Sequence, residues 1–255
     1  LLEQYIRQLT RKAATSGRNI TRLVCEVCDE LSLQANKYKG ENAKKVMEDA
    51  AVVISQFFRV TVSDFHTEKP LTGRTMECYR VACLLLQIYV RIEAFPLTEG
   101  IVRAIQQYRP HIPPLSSLDF KTQVQYTYYE ALMKFRDHKF KDAADLFSRT
   151  LEASTTAQGA MRLNGLQLAK IMRLYIPAQY IAYNRAPSQD LIELIPDLKS
   201  SYGVIISACR EGNYRKFNDA FEGKNDQFLK KRKVYLPFKS CIPRLRLNLL
   251  RRVWL

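Results

Sequence analysis

Ser201-Tyr-Gly-Val-Ile-Ile-Ser-Ala-Cys-Arg-Glu-Gly-Asn-Tyr-Arg-Lys-Phe-Asn-Asp-Ala-Phe-Glu222 is the stretch whose pattern decides the fold. Its first half carries an apolar run through Val204, Ile205, Ile206 and Ala208 that closes at Glu211-Gly212-Asn213, a helix stop followed by a turn. Its second half spaces Tyr214, Phe217, Ala220 and Phe221 at three- and four-residue intervals, which is one stripe of a helix. Two helices joined by a tight turn form one unit of an α-helical repeat. Such a shape holds partners rather than performing bond chemistry.

The same punctuation recurs upstream. Ile20, Leu23, Val24, Val27, Cys28 and Leu31 share one helical face after a Ser16-Gly-Arg-Asn19 start signal. Past Gly40, the positions Val46, Met47, Ala50, Ala51, Ile54, Phe57 and Phe58 repeat the pattern. From Met76 to Ile92 the pattern is apolar on most sides, which places that helix centrally among its neighbours. Phe95-Pro96 ends it, and a helix through Ile101, Val102, Ile105 and Tyr108 follows. Pro110, Pro113 and Pro114 then make a rigid break.

A helix from Val124 to Phe135, a turn at Arg136-Asp-His-Lys139 and a helix from Phe140 to Leu151 come next. Tyr129, Ala131 and Phe135 against Ala143, Ala144 and Phe147 resemble a tetratricopeptide unit, where small residues let two helices cross closely. A helix from about Arg162 to Tyr175 precedes Pro177, Pro187 and Pro196, which are expected to chop the chain into short helices. Segments of period two are nearly absent. The predicted fold is all-α, a solenoid of TPR-like helical repeats with Phe57, Leu85, Phe135, Phe147 and Phe217 inside.

Composition bounds the function. The 255 residues carry 40 basic against 25 acidic side chains, a net charge of +15, which favours nucleic acid or a strongly acidic protein as partner. Six cysteines without a visible signal peptide read as reduced, buried thiols. The longest apolar run, Val81 to Val90, is interrupted by Gln87 and is about half of the ~20 residues a membrane span needs. A soluble protein of cytosol or nucleus, with no membrane partner, is expected. The sequence opens without Met and closes at Arg251-Arg-Val-Trp-Leu255 inside a helical pattern, so a piece of a longer protein is expected.

Chemical motifs are scarce. Cys25-x-x-Cys28 is the best metal candidate, with Cys78 and Cys83 as further ligands, yet both sit in an amphipathic helix rather than on the turns that zinc knuckles use. Buried thiols are the preferred reading over a metal- or thiol-dependent enzyme built on that pair. His66, His111 and His138 fall in separate turns, none beside a nucleophile, and no Gly-rich phosphate loop, GxSxG or HExxH occurs. No catalytic residue, metal or cofactor is assigned. The C-terminal end differs: from Asn213 to Leu255 twelve bases face three acids, a local charge of +9. Lys230, Lys231, Arg232, Lys233, Lys239, Arg244, Arg246, Arg251 and Arg252, interleaved with Tyr235, Phe238 and Trp254, are the candidate contacts to RNA or DNA phosphates. The plainer alternative is a solvated helix face.

Several stretches together resemble the PCI family of scaffold proteins, shared by the proteasome lid, the COP9 signalosome and the translation initiation factor three complex. Glu211-Gly-Asn-Tyr-Arg-Lys-Phe-Asn-Asp-Ala-Phe221 with Asn225-Asp-Gln-Phe228 looks like that family's penultimate helix, turn and helix. Lys45 to Asp64, ending Phe58-Arg-Val-Thr-Val-Ser-Asp64, Tyr128-Tyr-Glu-Ala-Leu-Met-Lys-Phe-Arg-Asp-His-Lys-Phe-Lys-Asp-Ala143 and Leu249-Leu-Arg-Arg-Val-Trp-Leu255 look like one PCI subgroup, with Ala131 where the subgroup has Gly. That subgroup holds the PCI subunit of the TREX-2 mRNA export complex and the twelfth-subunit-like proteins of the signalosome.

The resemblance covers most of residues 40–255 and carries these expectations. Residues 1–184 would form the TPR-like repeats, and residues 185–255 the helical part of a PCI domain whose C-terminal winged helix lies beyond this chain. The function implied is a non-catalytic scaffold subunit, most like the TREX-2 member that couples transcription to nuclear mRNA export. The alternative is a signalosome-associated PCI subunit with a purely protein–protein role. The implied partners are a large helical PCI-like scaffold subunit, a small acidic DSS/Sem-type subunit, and RNA or DNA at the basic end. The implied location is the nucleus, at the nuclear pore, with the cytoplasm as a second place.

Overall fold

A computed structural model describes Gln4, Gln8 and residues 18–62, 74–155, 162–185, 192, 195–222, 226–231 and 233–254. The described residues are overwhelmingly helical, and the all-α class is as the sequence pattern predicts. No helix among them is long and apolar enough to cross a membrane. The chain divides into two compact units, residues 1–129 and 130–255.

In the first unit the helices are α1 (Arg18–Lys37), α2 (Ala43–Val62), α3 (Cys78–Arg91) and α4 (Phe95–Tyr108), with a 3₁₀ turn Arg74–Glu77 leading into α3. Each packs on its sequence neighbour, and α3 touches both α1 and α4 as well as α2. The near-continuous apolar sequence of α3 has this cause: Tyr79, Val81, Ala82, Leu85, Leu86 and Ile88 are all buried. A helix with neighbours on most sides has little face left for polar residues. Arg80, one of its few charged side chains, pairs with Asp29 of α1 and with Glu77. Pro96 corrects the sequence expectation: it does not end α3 but lies in the first turn of α4, where its missing N–H costs nothing. Ile92 to Ala94 make the break instead.

Helix α5 (Phe120–Arg136) runs from the first unit into the second. The second unit continues with α6 (Phe140–Ala153), α7 (Gly165–Tyr183), α8 (Pro196–Glu211), α9 (Tyr214–Glu222), α10 (Asp226–Lys231), α11 (Tyr235–Lys239) and α12 (Ile242–Trp254). Its closest packing is α6 on α7 and α8 on α9, and α12 lies against α8 and α9. Ala143, Ala144 and Phe147 form the buried side of α6. Of the residues expected inside, Phe57, Leu85, Phe147 and Phe217 are fully buried and Phe135 nearly so.

Helix α7 also departs from the sequence reading. It starts at a capping box, in which Asn164 accepts from the Gln167 N–H at 2.9 Å and Gln167 Oε1 accepts from the Asn164 N–H at 3.1 Å. It then runs through Pro177 to a left-handed cap at Asn184, so Pro177 does not terminate it. Pro177 lacks the N–H that would bond the Arg173 carbonyl one turn back. The buried Tyr202 hydroxyl of α8 donates to that carbonyl instead, at 3.3 Å. A partner from another helix thus keeps the interrupted ladder satisfied.

Candidate functional site

The Glu211-Gly-Asn213 turn is built from three local roles. Gly212 takes φ +65°, and the Asn213 N–H bonds the Ala208 carbonyl at 3.0 Å, closing the end of α8. Asn213 then caps α9 by accepting from the Lys216 N–H at 3.0 Å. Glu211 takes the Lys216 ammonium at 2.8 Å, and the Ser207 hydroxyl donates to it as well. Those two hydrogen bonds, Lys216 first, hold the half-buried Glu211 carboxyl below its ordinary range. On the far side of the turn Phe217 and Phe221 stack at 5.5 Å, and Tyr235 stacks on Phe221 at 4.5 Å.

This turn seats α12. A Cβ on Gly212 would fall 2.9 Å from the Leu249 backbone nitrogen, so the two backbones touch at the glycine. One residue earlier, Asn248 joins three elements. Its amide accepts from Asn184 at 2.9 Å and donates to the Tyr180 hydroxyl at 3.2 Å and toward the Cys209 carbonyl at 3.4 Å. Leu245 and Cys241 complete the buried side, while Leu247, Leu250, Val253 and Trp254 (83% exposed) face outward.

The candidate phosphate contacts separate into groups. Lys230, Lys233, Lys239, Arg244, Arg246, Arg251 and Arg252 are all exposed. Arg232 and the side chain of Lys231 lie outside the described residues. Arg251 and Arg252 border a cleft of about 410 Å³ with Arg210, floored by Tyr180, Asn184 and Asn248. Arg252 there donates to the Arg210 carbonyl at 3.0 Å, capping the negative end of α8. Arg246 lies 5.5 Å from the Tyr214 ring centroid, within cation–π range. Lys230 and Lys233 border a second cleft, of about 420 Å³, together with Arg136 and His138. Among the described residues the charge run thus borders two clefts, and Lys239, Arg244 and Arg246 line neither.

Arg136, His138 and Arg210 are absent from the sequence-derived list. Arg136 and His138 belong to a turn recognised in the sequence only as a helix break. Their one available signal is that basic side chains in, or just past, the last turn of a helix sit well with its dipole.

The cysteines are free and buried. Burial pushes the thiols of Cys28, Cys78 and Cys209 up to about 12 and raises those of Cys25, Cys83 and Cys241 as well. Thiols held neutral in this way are poor nucleophiles and poor metal ligands. Among the described residues no three His, Cys, Asp or Glu side chains gather as a metal site.

No family model matches the chain. It is 26% identical over 210 residues to Protein CSN12 homolog of Neurospora crassa, an alignment covering 82% of this chain and 44% of that protein. It is likewise 26% identical over 210 residues to Protein CSN12 homolog of Schizosaccharomyces pombe, covering 82% and 47%. Protein CSN12 homolog of Debaryomyces hansenii is 23% identical over 261 residues, covering 93% and 58%. The chain thus spans about half the length of these curated relatives. Together with the all-α repeat fold and the Glu211-Gly-Asn turn, these similarities support a relation between this chain and the PCI family of scaffold proteins.

Proposed function

We propose that this chain is a non-catalytic PCI-type scaffold of a complex of the COP9 signalosome kind, working through protein–protein assembly. The observation that carries the reading is the similarity, along 82–93% of the chain, to proteins named for the twelfth signalosome subunit. The fold agrees with it. Stacked helix pairs give long exposed faces, and Leu247, Leu250, Val253 and Trp254 of α12 leave apolar surface outward. The partners are then other helical subunits, with a large helical scaffold subunit and a small acidic one among the candidates. The export-complex reading draws no support from the relatives' name, so it stands behind this one. Residence in the nucleus, with the cytoplasm as second location, belongs to the same proposal.

A second reading rests on one observation: Arg244, exposed on α12, and Lys239, exposed at the end of α11, extend the positive surface outward from the cleft that Arg251 borders. That surface would contact nucleic-acid phosphates without reading sequence.

The test is affinity purification of the full-length protein at its natural expression level, with mass spectrometry of what accompanies it. Signalosome-type helical subunits in stoichiometric yield are the expected result. Recovery with mRNA export factors and none of those subunits reverses the order of the two complexes. Recovery as a monomer removes the scaffold reading altogether.

A further inference from the structure

We propose that the outward face of α12 is one half of a coiled-coil contact and takes an acidic amphipathic helix from a partner protein. The inference rests on the scaffold reading and names the chemistry of one partner at one surface.

Helix α12 has two opposite faces. Leu245, Asn248 and Arg252, spaced by three and four residues, are the seated side: Leu245 is buried, Asn248 bonds Tyr180 and Asn184 of α7, and Arg252 reaches the Arg210 carbonyl of α8. Two residues further along the chain is about 200° round a helix. Leu247, Leu250 and Trp254 therefore repeat the same spacing on the other side, where they are 46%, 53% and 83% exposed. Pro243 is exposed one turn before them. A helix that only closed the fold would carry polar residues there.

The residues beside this stripe complete a heptad. With Leu247 and Trp254 at a and with Pro243 and Leu250 at d, Arg244 and Arg251 fall at e, and Arg246 and Val253 fall at g. All four of these border residues are exposed. In a coiled coil the e and g positions choose the partner by charge. A second copy of this chain would set Arg244, Arg246 and Arg251 against one another, whether the two helices ran parallel or antiparallel. A helix with Glu or Asp at its own e and g positions meets the same arginines with attraction, and their aliphatic stems extend the apolar cover. A nucleic-acid strand would use the arginines and leave Leu247 and Leu250 without a counterpart.

The face is also held ready. The backbones of Gly212 and Leu249 touch, and Asn248 ties α12 to α7, so the helix cannot roll without breaking both contacts. Arg246 lies 5.5 Å from the Tyr214 ring centroid, which keeps one border charge beside the seam. At 13 residues α12 is shorter than two heptads, a length at which free helices are marginal. Fixing it on the fold removes that cost before a partner arrives, and Trp254 supplies the large rigid anchor that such small contacts depend on.

The probes are two fluorescein-labelled peptides of about three heptads with Leu at a and d, one with Glu and one with Lys at e and g. Binding is read by fluorescence anisotropy on the full-length protein. The Glu peptide is expected to bind at least about tenfold tighter than its Lys twin, with the advantage shrinking as salt rises. Leu250→Ser weakens it roughly tenfold. Arg244→Glu combined with Arg251→Glu inverts the choice of peptide, an outcome that a merely loosened helix does not give. These side chains are exposed, so melting temperatures should match the wild type; where Leu250→Ser lowers it, Leu247→Ser takes its place. Equal binding of the two peptides, no binding of either, or an unchanged choice in the charge-reversed variant overturns the proposal. A concentration-dependent dimer abolished by Leu250→Ser overturns it in favour of a second copy. Displacement of the Glu peptide by oligouridylate or by phosphatidylserine vesicles at equal or lower concentration overturns it in favour of nucleic acid or a membrane surface. Loss of peptide selectivity while signalosome-type subunits still co-purify removes this inference alone, whereas a wild-type protein recovered as a monomer removes the scaffold reading beneath it.

Discussion

At the residue scale the decisive position is Gly212. Its φ of +65° costs a residue with a Cβ about 1–2 kcal/mol, and the added carbon would meet the Leu249 backbone, which cannot swing aside like a side chain. Gly212→Ala should therefore lower stability by about 2–4 kcal/mol, read as a shift in denaturant midpoint with unchanged slope. A loss below about 1 kcal/mol would show that α12 does not sit on the turn. Glu211 gives a pH prediction. Its folded-state pKa lies below the ordinary 4.5, so its contribution is present above pH 4.5 and is lost as pH falls through the lowered folded value. Glu211→Gln should flatten the stability profile below pH 4.5 and leave its shape near neutrality unchanged. The helix stop at Gly212 was legible in the sequence, because a left-handed cap is set by the residues of the turn itself. Asn248 was not: its three partners come from Tyr180, Asn184 and Cys209, and no local pattern announces them.

At the element scale the sequence pattern gave helix existence and the buried stripes, and it failed where a distant side chain changed the outcome. Pro177 reads as a stop by every local rule, yet α7 continues because Tyr202 supplies the hydrogen bond that proline removes. Pro96 was misplaced for a smaller reason: a proline after an apolar helix ends one element or opens the next, and the sequence alone does not choose. The Tyr202 device can be tested by a double-mutant cycle. Tyr202→Phe alone should cost about 1–3 kcal/mol by leaving the Arg173 carbonyl without this donor. In a Pro177→Ala background the restored N–H reaches the same carbonyl, and the cost should fall below about 1 kcal/mol. Equal costs in both backgrounds would mean that Tyr202 stabilises α7 only by packing, for example against Phe238 at 4.8 Å.

At the scale of the whole molecule, charge is the property visible in the sequence, and its arrangement is not. Twelve bases against three acids mark the end from Asn213 to Leu255 as strongly basic. That count could not show that Lys230 and Lys233 join Arg136 and His138, or that Arg252 is engaged at the end of α8. Both facts depend on tertiary contacts between segments far apart in sequence. Nucleic acid held on the outer surface of α12 should bind without sequence preference and weaken with salt, with a log–log slope near −0.7 per phosphate contact for single strands. Arg244→Gln and Arg251→Gln should each flatten that slope by roughly 0.7. Oligouridylate binding by the full-length protein across a salt titration measures both variants. A slope insensitive to Arg244 and Arg251 would reduce α12 to a solvated helix face, since a face that releases no counterions contributes none of the salt dependence.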